Sequence, residues 1–190
     1  MDYTKISCFK EKLKRDLKPE RYQHTINTVL KAMELSLGEN VDKEVVFIAS
    51  LLHDCAKYKT PNEEQKKELC DFVDSPPILH APFGAIIARE EYGITDERIL
   101  NAIKYHTTGR SGMTKEEMIV CLADAIEDGR NYSALENVKK AAEQGIIQGM
   151  IANLSNVIEY ETKKGNSVHH LTLEALEDLK KEVKNEQGTD

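Results

Sequence analysis

Little in these 190 residues commits the chain to a membrane, to nucleic acid or to disulfide staples. No apolar run approaches the roughly 18 residues that a membrane span requires, and no basic-then-apolar segment opens the chain. The cysteines Cys8, Cys55, Cys70 and Cys121 form no C-x-x-C motif. Cys55 and Cys121 lie in apolar helical patterns and read as buried free thiols, which suits a reducing compartment. A soluble, cytoplasmic protein is expected. Basic residues are outnumbered, 26 Lys and Arg against 33 Asp and Glu, for a formal net charge of -7. The lysines are spread along amphipathic helices without forming a stripe, so no nucleic-acid partner is expected. Any anionic ligand must then be held locally, by a metal or a few placed cations.

Also missing are the strict alternation of a half-buried strand, an internal repeat and a low-complexity linker. What remains is a 3.6-residue apolar rhythm with helix punctuation, which predicts an all-α fold. With 40% hydrophobic residues, the chain can build one sizeable core, and residues 1–190 read as a single domain. A first helix is expected from about Ser7 to Leu17. Pro19 suits the first turn of a second, with Tyr22, Ile26, Val29, Leu30, Met33 and Leu37 on one face. Asp42 can cap a third helix running through Val45, Val46, Ile48, Ala49 and Leu52. A polar helix over about Asn62 to Asp74 is broken by Ser75-Pro76-Pro77, and the next closes at Gly93. Thr95 starts another, which ends at Tyr105 to Gly109. Thr114 with Glu117 and Ser133 with Glu136 form capping-box patterns. Helices from about Gly145 to Lys164 and Thr172 to Asn185 finish the chain, and residues 185–190 read as a frayed tail.

His24, His53, Asp54, His80, His106 and Asp124 stand out because all fall on or beside predicted helices. In Ala49-Ser50-Leu51-Leu52-His53-Asp54, two side chains of high desolvation cost follow an apolar run at a helix end. Asp124 follows the apolar run from Met118 to Ala123, and buried carboxylates are usually paired or metal-bound. Each has a plainer reading alone: a satisfied histidine, a solvent-facing Asp54, an Asp124 bonded to a backbone donor. Jointly they read as a metal site, in which a divalent cation holds a phosphate oxygen and generates hydroxide near neutral pH.

Further candidates surround this set. Lys57 lies one turn past His53, where it can neutralise a phosphate oxygen or simply be solvated. Thr107, Thr108 and Gly109 follow a helix end, where glycine permits close backbone approach and the hydroxyls can donate to phosphate; an ordinary C-terminal cap can coexist with that role. Arg21 and Arg130 can grip phosphate with paired hydrogen bonds or form structural salt bridges, with Arg110 ranked behind them. His169 and His170 read as loop and cap residues before the last helix, and His170 and Thr172 are candidates for nucleoside contact. Glu127 is an orienting carboxylate, an acid or a solvent-facing charge.

In the order H...HD...D, His24, His53-Asp54 and Asp124 resemble the HD-domain metal-dependent phosphohydrolases. Longer blocks carry the resemblance further: Arg21-Tyr22-Gln23-His24-Thr25, Leu51-Leu52-His53-Asp54-Cys55-Ala56-Lys57, Leu79-His80-Ala81-Pro82-Phe83-Gly84-Ala85, Ala102-Ile103-Lys104-Tyr105-His106-Thr107-Thr108-Gly109, and Leu122-Ala123-Asp124-Ala125-Ile126-Glu127-Asp128-Gly129-Arg130. Together, over about residues 20–176, they are similar to the YqeK-type branch, symmetrical bis(5'-nucleosyl)-tetraphosphatases that hydrolyse diadenosine tetraphosphate. Ala125 stands where that branch often has an aromatic residue, and Asp128 where it often has proline. The resemblance implies that His24, His53, Asp54 and Asp124 bind a primary metal, with Asp54 bridging toward a second ion held with His80 and His106; with one ion only, His80 and His106 would face the phosphates as donors or proton-transfer groups. It implies one or two ions, iron rather than manganese or another first-row metal, a nucleotide substrate and a homodimer. Other HD-domain activities, on nucleoside monophosphates, cyclic nucleotides or guanosine tetraphosphate, and a non-catalytic nucleotide sensor are the alternatives.

Overall fold

In the computed structural model, residues 3–72 and 74–187 are described, and they form ten helices with no strand among them. The helices are α1 (Tyr3–Asp16), α2 (Pro19–Leu35), α3 (Lys43–Leu52), α4 (Glu63–Glu68), α5 (His80–Tyr92), α6 (Glu97–Lys104), α7 (Lys115–Ile126), α8 (Leu135–Gln144), α9 (Ile146–Lys163) and α10 (His170–Gln187). The all-α expectation holds. No helix among the described residues is long and apolar enough to cross a membrane.

Local chemistry accounts for most boundaries. Asp42 accepts from the backbone N–H groups of Glu44 and Val45, as a helix N-cap should. Thr114 and Glu117 form the reciprocal box that starts α7. Gly93 ends α5 with φ 65, a left-handed conformation that costs a residue without a Cβ nothing.

Several expectations need correction. α1 begins earlier than expected, at Tyr3. The polar helix predicted over 62–74 stops at Glu68; Asn62 and Gln65 form its capping box, but successive turns follow it. Asp96, rather than Thr95, caps α6 through the Arg98 N–H. The Ser133–Glu136 box does not form, because α8 starts from Ala134, whose carbonyl takes the first helical bond from Val138, and no side chain caps it. α10 starts two residues before Thr172, at His170, and runs past Asn185 to Gln187. That removes the first part of the expected frayed tail, and residues 188–190 lie outside those described.

The second helix shows a more instructive difference. Leu30 and Leu37, expected on its buried face, are 66% and 71% exposed. Val29 is buried as expected, but its buried companions are Thr25, Thr28, Ala32 and Ser36. The three hydroxyls donate to the carbonyls four residues back, Arg21, His24 and Ala32, so their burial leaves no donor unpaired. A stripe of small side chains lets α2 approach α3 and α7 closely, which larger leucines would prevent.

α3 and α7 are the central helices, buried through most of their length. On one side Leu51, Leu52, Phe83 and Ile103 pack into a core shared by α3, α5 and α6. On the other, Ile119, Leu122, Met150 and Leu154 join α7 to α9. Buried Cys55 and Cys121, together with exposed Cys8 and Cys70, are all free thiols.

Candidate metal centre

Five helix segments deliver the candidate ligands to one place. α2 supplies His24 from its interior. The C-terminal end of α3 supplies His53 and Asp54, α5 opens on His80, the residues after α6 supply His106, and the last turn of α7 supplies Asp124. His53, Asp54 and His106 are 2% exposed or less. The ligand-type atoms of His24, His53 and Asp124 lie within 4.8 Å of one another, and so do those of His53, Asp54 and His106. His24 Nε2 is 2.9 Å from Asp124 Oδ1.

All four imidazoles are oriented the same way. His53 Nδ1 lies 2.7 Å from the Ser50 carbonyl, His106 Nδ1 2.8 Å from that of Ile103, and His80 Nδ1 3.1 Å from that of Pro77. In each case the carbonyl is three residues back, and each pair fixes Nδ1–H as the outward donor and turns Nε2 inward. His24 Nδ1 lies 3.1 Å from Glu127 Oε1 instead, which turns its Nε2 inward toward Asp124. Glu127 is 2% exposed and also accepts from the Gly129 N–H. Its orienting reading therefore stands, and the solvent-facing one does not.

Asp54 presents its two oxygens to different partners. Oδ2 lies 3.4 Å from His53 Nε2 and 3.8 Å from His24 Nε2. Oδ1 lies 3.2 Å from His80 Nε2 but in no hydrogen bond, and His106 Nε2 is likewise buried without a partner. Buried polar atoms left unpaired are costly, and inward lone pairs opposed by carboxylate oxygens are the donor set a divalent cation satisfies. The residues present therefore fit a metal ion.

Cations ring these carboxylates. Arg21 Nη1 donates to Asp54 Oδ2 at 3.0 Å, and Arg130 pairs with Asp124 through Nη2 while its Nε donates to the Asp124 carbonyl at 2.7 Å. Lys57 Nζ lies 3.0 Å from His80 Nε2 and 3.8 Å from Asp54 Oδ1, half-buried rather than solvated. Burial alone would raise both carboxyls. For Asp54 the imidazolium of His53 and the contact to His80 outweigh it, for Asp124 the bond from His24 and the Arg130 charge, and both are held well below the usual carboxylate range. Burial depresses His53 as well, but Asp54 and Asp124 overcome it and leave the imidazole raised. Burial, reinforced by His53 and His80, pushes His106 down to about 3. Burial also lowers Lys57, partly against the attraction of Asp54.

The outer candidates divide. Gly109 has φ 65, and a Cβ there would meet Ala175 at 3.0 Å and Met113 at 3.1 Å, so it serves close packing against α10. Thr108 is buried with its hydroxyl donated to the Gly109 carbonyl. Arg110 is held by Glu117 at 2.8 Å. Two cavities are lined by chain neighbours of these residues, such as Thr107 and Ala125, but by none of the six candidate ligands. One, of about 470 Å3, is lined by Ile78, Thr107, Thr108, His169 and Thr172 among others; the second, of about 390 Å3, by Ala125, Arg130, Tyr132, Asn156 and Tyr160. Val157 and Glu161 of α9 line both. Exposed His170 lines neither; it stacks on His169, which is sandwiched against Phe72. The carbonyls of Ser50, Pro77 and Ile103 were missing from the expected site, although their constant spacing before a histidine was a readable signal. Tyr132 and α9 carried no such signal.

The profile described as HD domain matches residues 21–129. A Bacillus subtilis protein named "Bis(5'-nucleosyl)-tetraphosphatase, symmetrical" is 36% identical over 163 residues, 82% of this chain and 87% of the relative. A protein of the same name from Halalkalibacterium halodurans is 35% identical over 180 residues, covering 90% and 95%. A crystal structure from Clostridium acetobutylicum, described as a predicted HD superfamily hydrolase involved in NAD metabolism, superposes with a TM-score of 0.85 at 34% identity, covering 96% of this chain and 98% of that one.

Proposed function

This chain belongs to the HD domain family, and from that premise we propose that it hydrolyses dinucleoside tetraphosphates, cleaving diadenosine tetraphosphate symmetrically into two molecules of adenosine diphosphate. The observation that carries the reading is the set of four inward Nε2 atoms facing Asp54 and Asp124. The relatives from B. subtilis and H. halodurans, similar over most of their length, favour a tetraphosphatase over other HD-domain activities or a silent sensor.

In this reading His24, His53, Asp54 and Asp124 hold a first divalent ion, and Asp54, His80 and His106 a second. The bound metal supplies a Lewis acid for phosphate oxygens and a hydroxide near neutral pH. The protein's own groups do the rest. Glu127 and the three carbonyls hold the Nδ1 side of each imidazole and keep Nε2 turned toward the metal. Lys57, Arg21 and Arg130 stand around the carboxylates, where they offset the charge of a polyphosphate as it enters. A nucleoside diphosphate is a good leaving group, so charge neutralisation carries the cleavage without a strong general acid. Imidazole and carboxylate donors suit iron, the metal this reading takes as native, and also accept manganese. The buried free thiols Cys55 and Cys121 suit a cytoplasmic setting.

Hydrolysis of diadenosine tetraphosphate in heavy-oxygen water tests the reading. Adenosine diphosphate should be the sole nucleotide product, with label in one of the two molecules formed per turnover. Equal adenosine triphosphate and monophosphate would place the attack near one end and refute it. A chelator should abolish turnover and added metal restore it.

A further inference from the structure

We propose that His169 is a positioning residue for His80: it clasps the segment 71–79 at Asp71 and Phe72, and through that segment sets the direction of the His80 imidazole. The inference rests on the reading of His80 as a ligand of the second ion and adds what holds it in place.

Both ring nitrogens and the ring face of His169 are engaged. The residue caps α10, its carbonyl accepting from the Thr172 N–H at 3.0 Å and its Nδ1 from the Leu171 N–H at 3.4 Å. With Nδ1 an acceptor, the ring proton sits on Nε2, which donates to the Asp71 carbonyl at 3.1 Å. The ring lies flat on Phe72, with centroids 4.9 Å apart and planes 4° from parallel. One imidazole thus joins the start of α10 to a segment 98 positions earlier in the chain.

The segment needs that clasp. Among its described residues Phe72 alone is buried, and residues 74–78 line the larger cavity. A stretch that faces a cavity has few packed neighbours to fix it, so its place is set at its ends. One end is Phe72 under His169, and the other is Leu79, which packs against the core before α5.

Hydrogen-bonded turns lead from the clasp to the site. The Phe72 carbonyl accepts from the Ser75 N–H at 2.9 Å, and the Ser75 carbonyl from the N–H groups of Ile78 and Leu79 at 3.1 and 3.2 Å. Pro76 and Pro77 restrict φ between them. The Pro77 carbonyl then accepts from His80 Nδ1 at 3.1 Å, and His80 Nε2 lies 3.2 Å from Asp54 Oδ1. A shift at Phe72 is therefore carried to the carbonyl that aims His80. His53 and His106 take their aim from Ser50 in α3 and Ile103 in α6, where the helix itself fixes the carbonyl. Pro77 lies outside any helix, which is why His80 depends on a distant anchor.

The test counts metal bound to the full chain by equilibrium dialysis against manganese(II), with His169→Ala and His169→Gln beside the wild type. The wild type should bind two ions in two steps. His169→Ala should weaken the second step by about tenfold, the low end of the loss when an orienting partner is removed. The first step should be unchanged, because His24, His53 and Asp124 are held by Glu127, Ser50 and Arg130 instead. His169→Gln should recover most of the second-step affinity, since its amide can accept from Leu171 and donate to Asp71. A second step unmoved by His169→Ala would overturn the proposal. So would an equal loss in both steps that follows the melting temperature, which is what a merely structural role produces. Either result would leave the hydrolase reading intact. A wild-type chain that binds a single ion would overturn the two-ion reading and this inference together.

Discussion

His24 and His53 bring their Nε2 atoms to within 3.3 Å of each other while both Nδ1 atoms are engaged, one by Glu127 and one by Ser50. Two inward lone pairs at that distance repel, and only a proton or a cation between them relieves the contact. With Asp54 and Asp124 alongside, the arrangement favours positive charge at that point, which is also why the His53 imidazole is raised. A metal ion that binds there displaces a proton.

From this follows a pH dependence. A raised imidazole holds its proton to higher pH than an ordinary histidine, so protons compete with metal below that raised value and not above it. Apparent metal affinity should therefore climb with pH, by about tenfold per unit for each proton released, and then level off. His106, pushed down to about 3, adds no competition in the neutral range. Chelator-competition titrations from roughly pH 6 to 9 check this, and an affinity independent of pH would contradict it.

Deleting a ligand should be far more damaging than deleting an outer contact. His53→Ala and Asp54→Ala are each expected to lower turnover more than about a hundredfold, beyond the loss typical of an orienting partner. Circular dichroism should still report a helical chain. Near wild-type activity of either variant at limiting metal would remove these residues from the ligand set.

Glu127→Gln isolates orientation from ligation. The amide keeps the shape but not the charge that holds His24 Nδ1–H, so metal affinity should drop by about tenfold to a hundredfold. An unchanged affinity would mean that Glu127 only anchors the Gly129 turn.

Metal counting separates the outer histidines from the lysine. His80→Ala or His106→Ala should reduce bound metal from about two ions to one, whereas Lys57→Ala should keep both ions and raise KM for the substrate. Equal metal loss in all three variants would show that these roles are divided wrongly.

The unexpected face of α2 is testable through stability alone. Leu30→Glu and Leu37→Glu, at exposed positions, should change unfolding free energy by no more than about 0.5 kcal/mol. Ala32→Leu, at a site with 0% exposure, should cost about 1–3 kcal/mol by overpacking the approach of α2 to its neighbours. Thermal or urea unfolding of the three variants decides between the two faces.

The helices themselves were legible in the residues, because periodicity, Asp42, Gly93 and the Thr114–Glu117 box act over a few positions along the chain. The ligand candidates were legible too, since His53-Asp54 and Asp124 each end an apolar run whose burial carries them inward. Where a residue's neighbours come from distant segments, the sequence alone was silent or misleading. Leu30 lost its buried place to threonines whose hydroxyls are satisfied within their own helix, a balance settled by how closely α2 can approach α3 and α7. Glu127 met His24 across 103 positions of chain, turning an ambiguous charge into an orienting group. Thr107, Tyr132 and the α9 ridge became walls of two cavities only when α9 packed against α7 and α10. Local propensity determined the helices and carried the donors toward the interior; packing between helices decided which atoms face one another there.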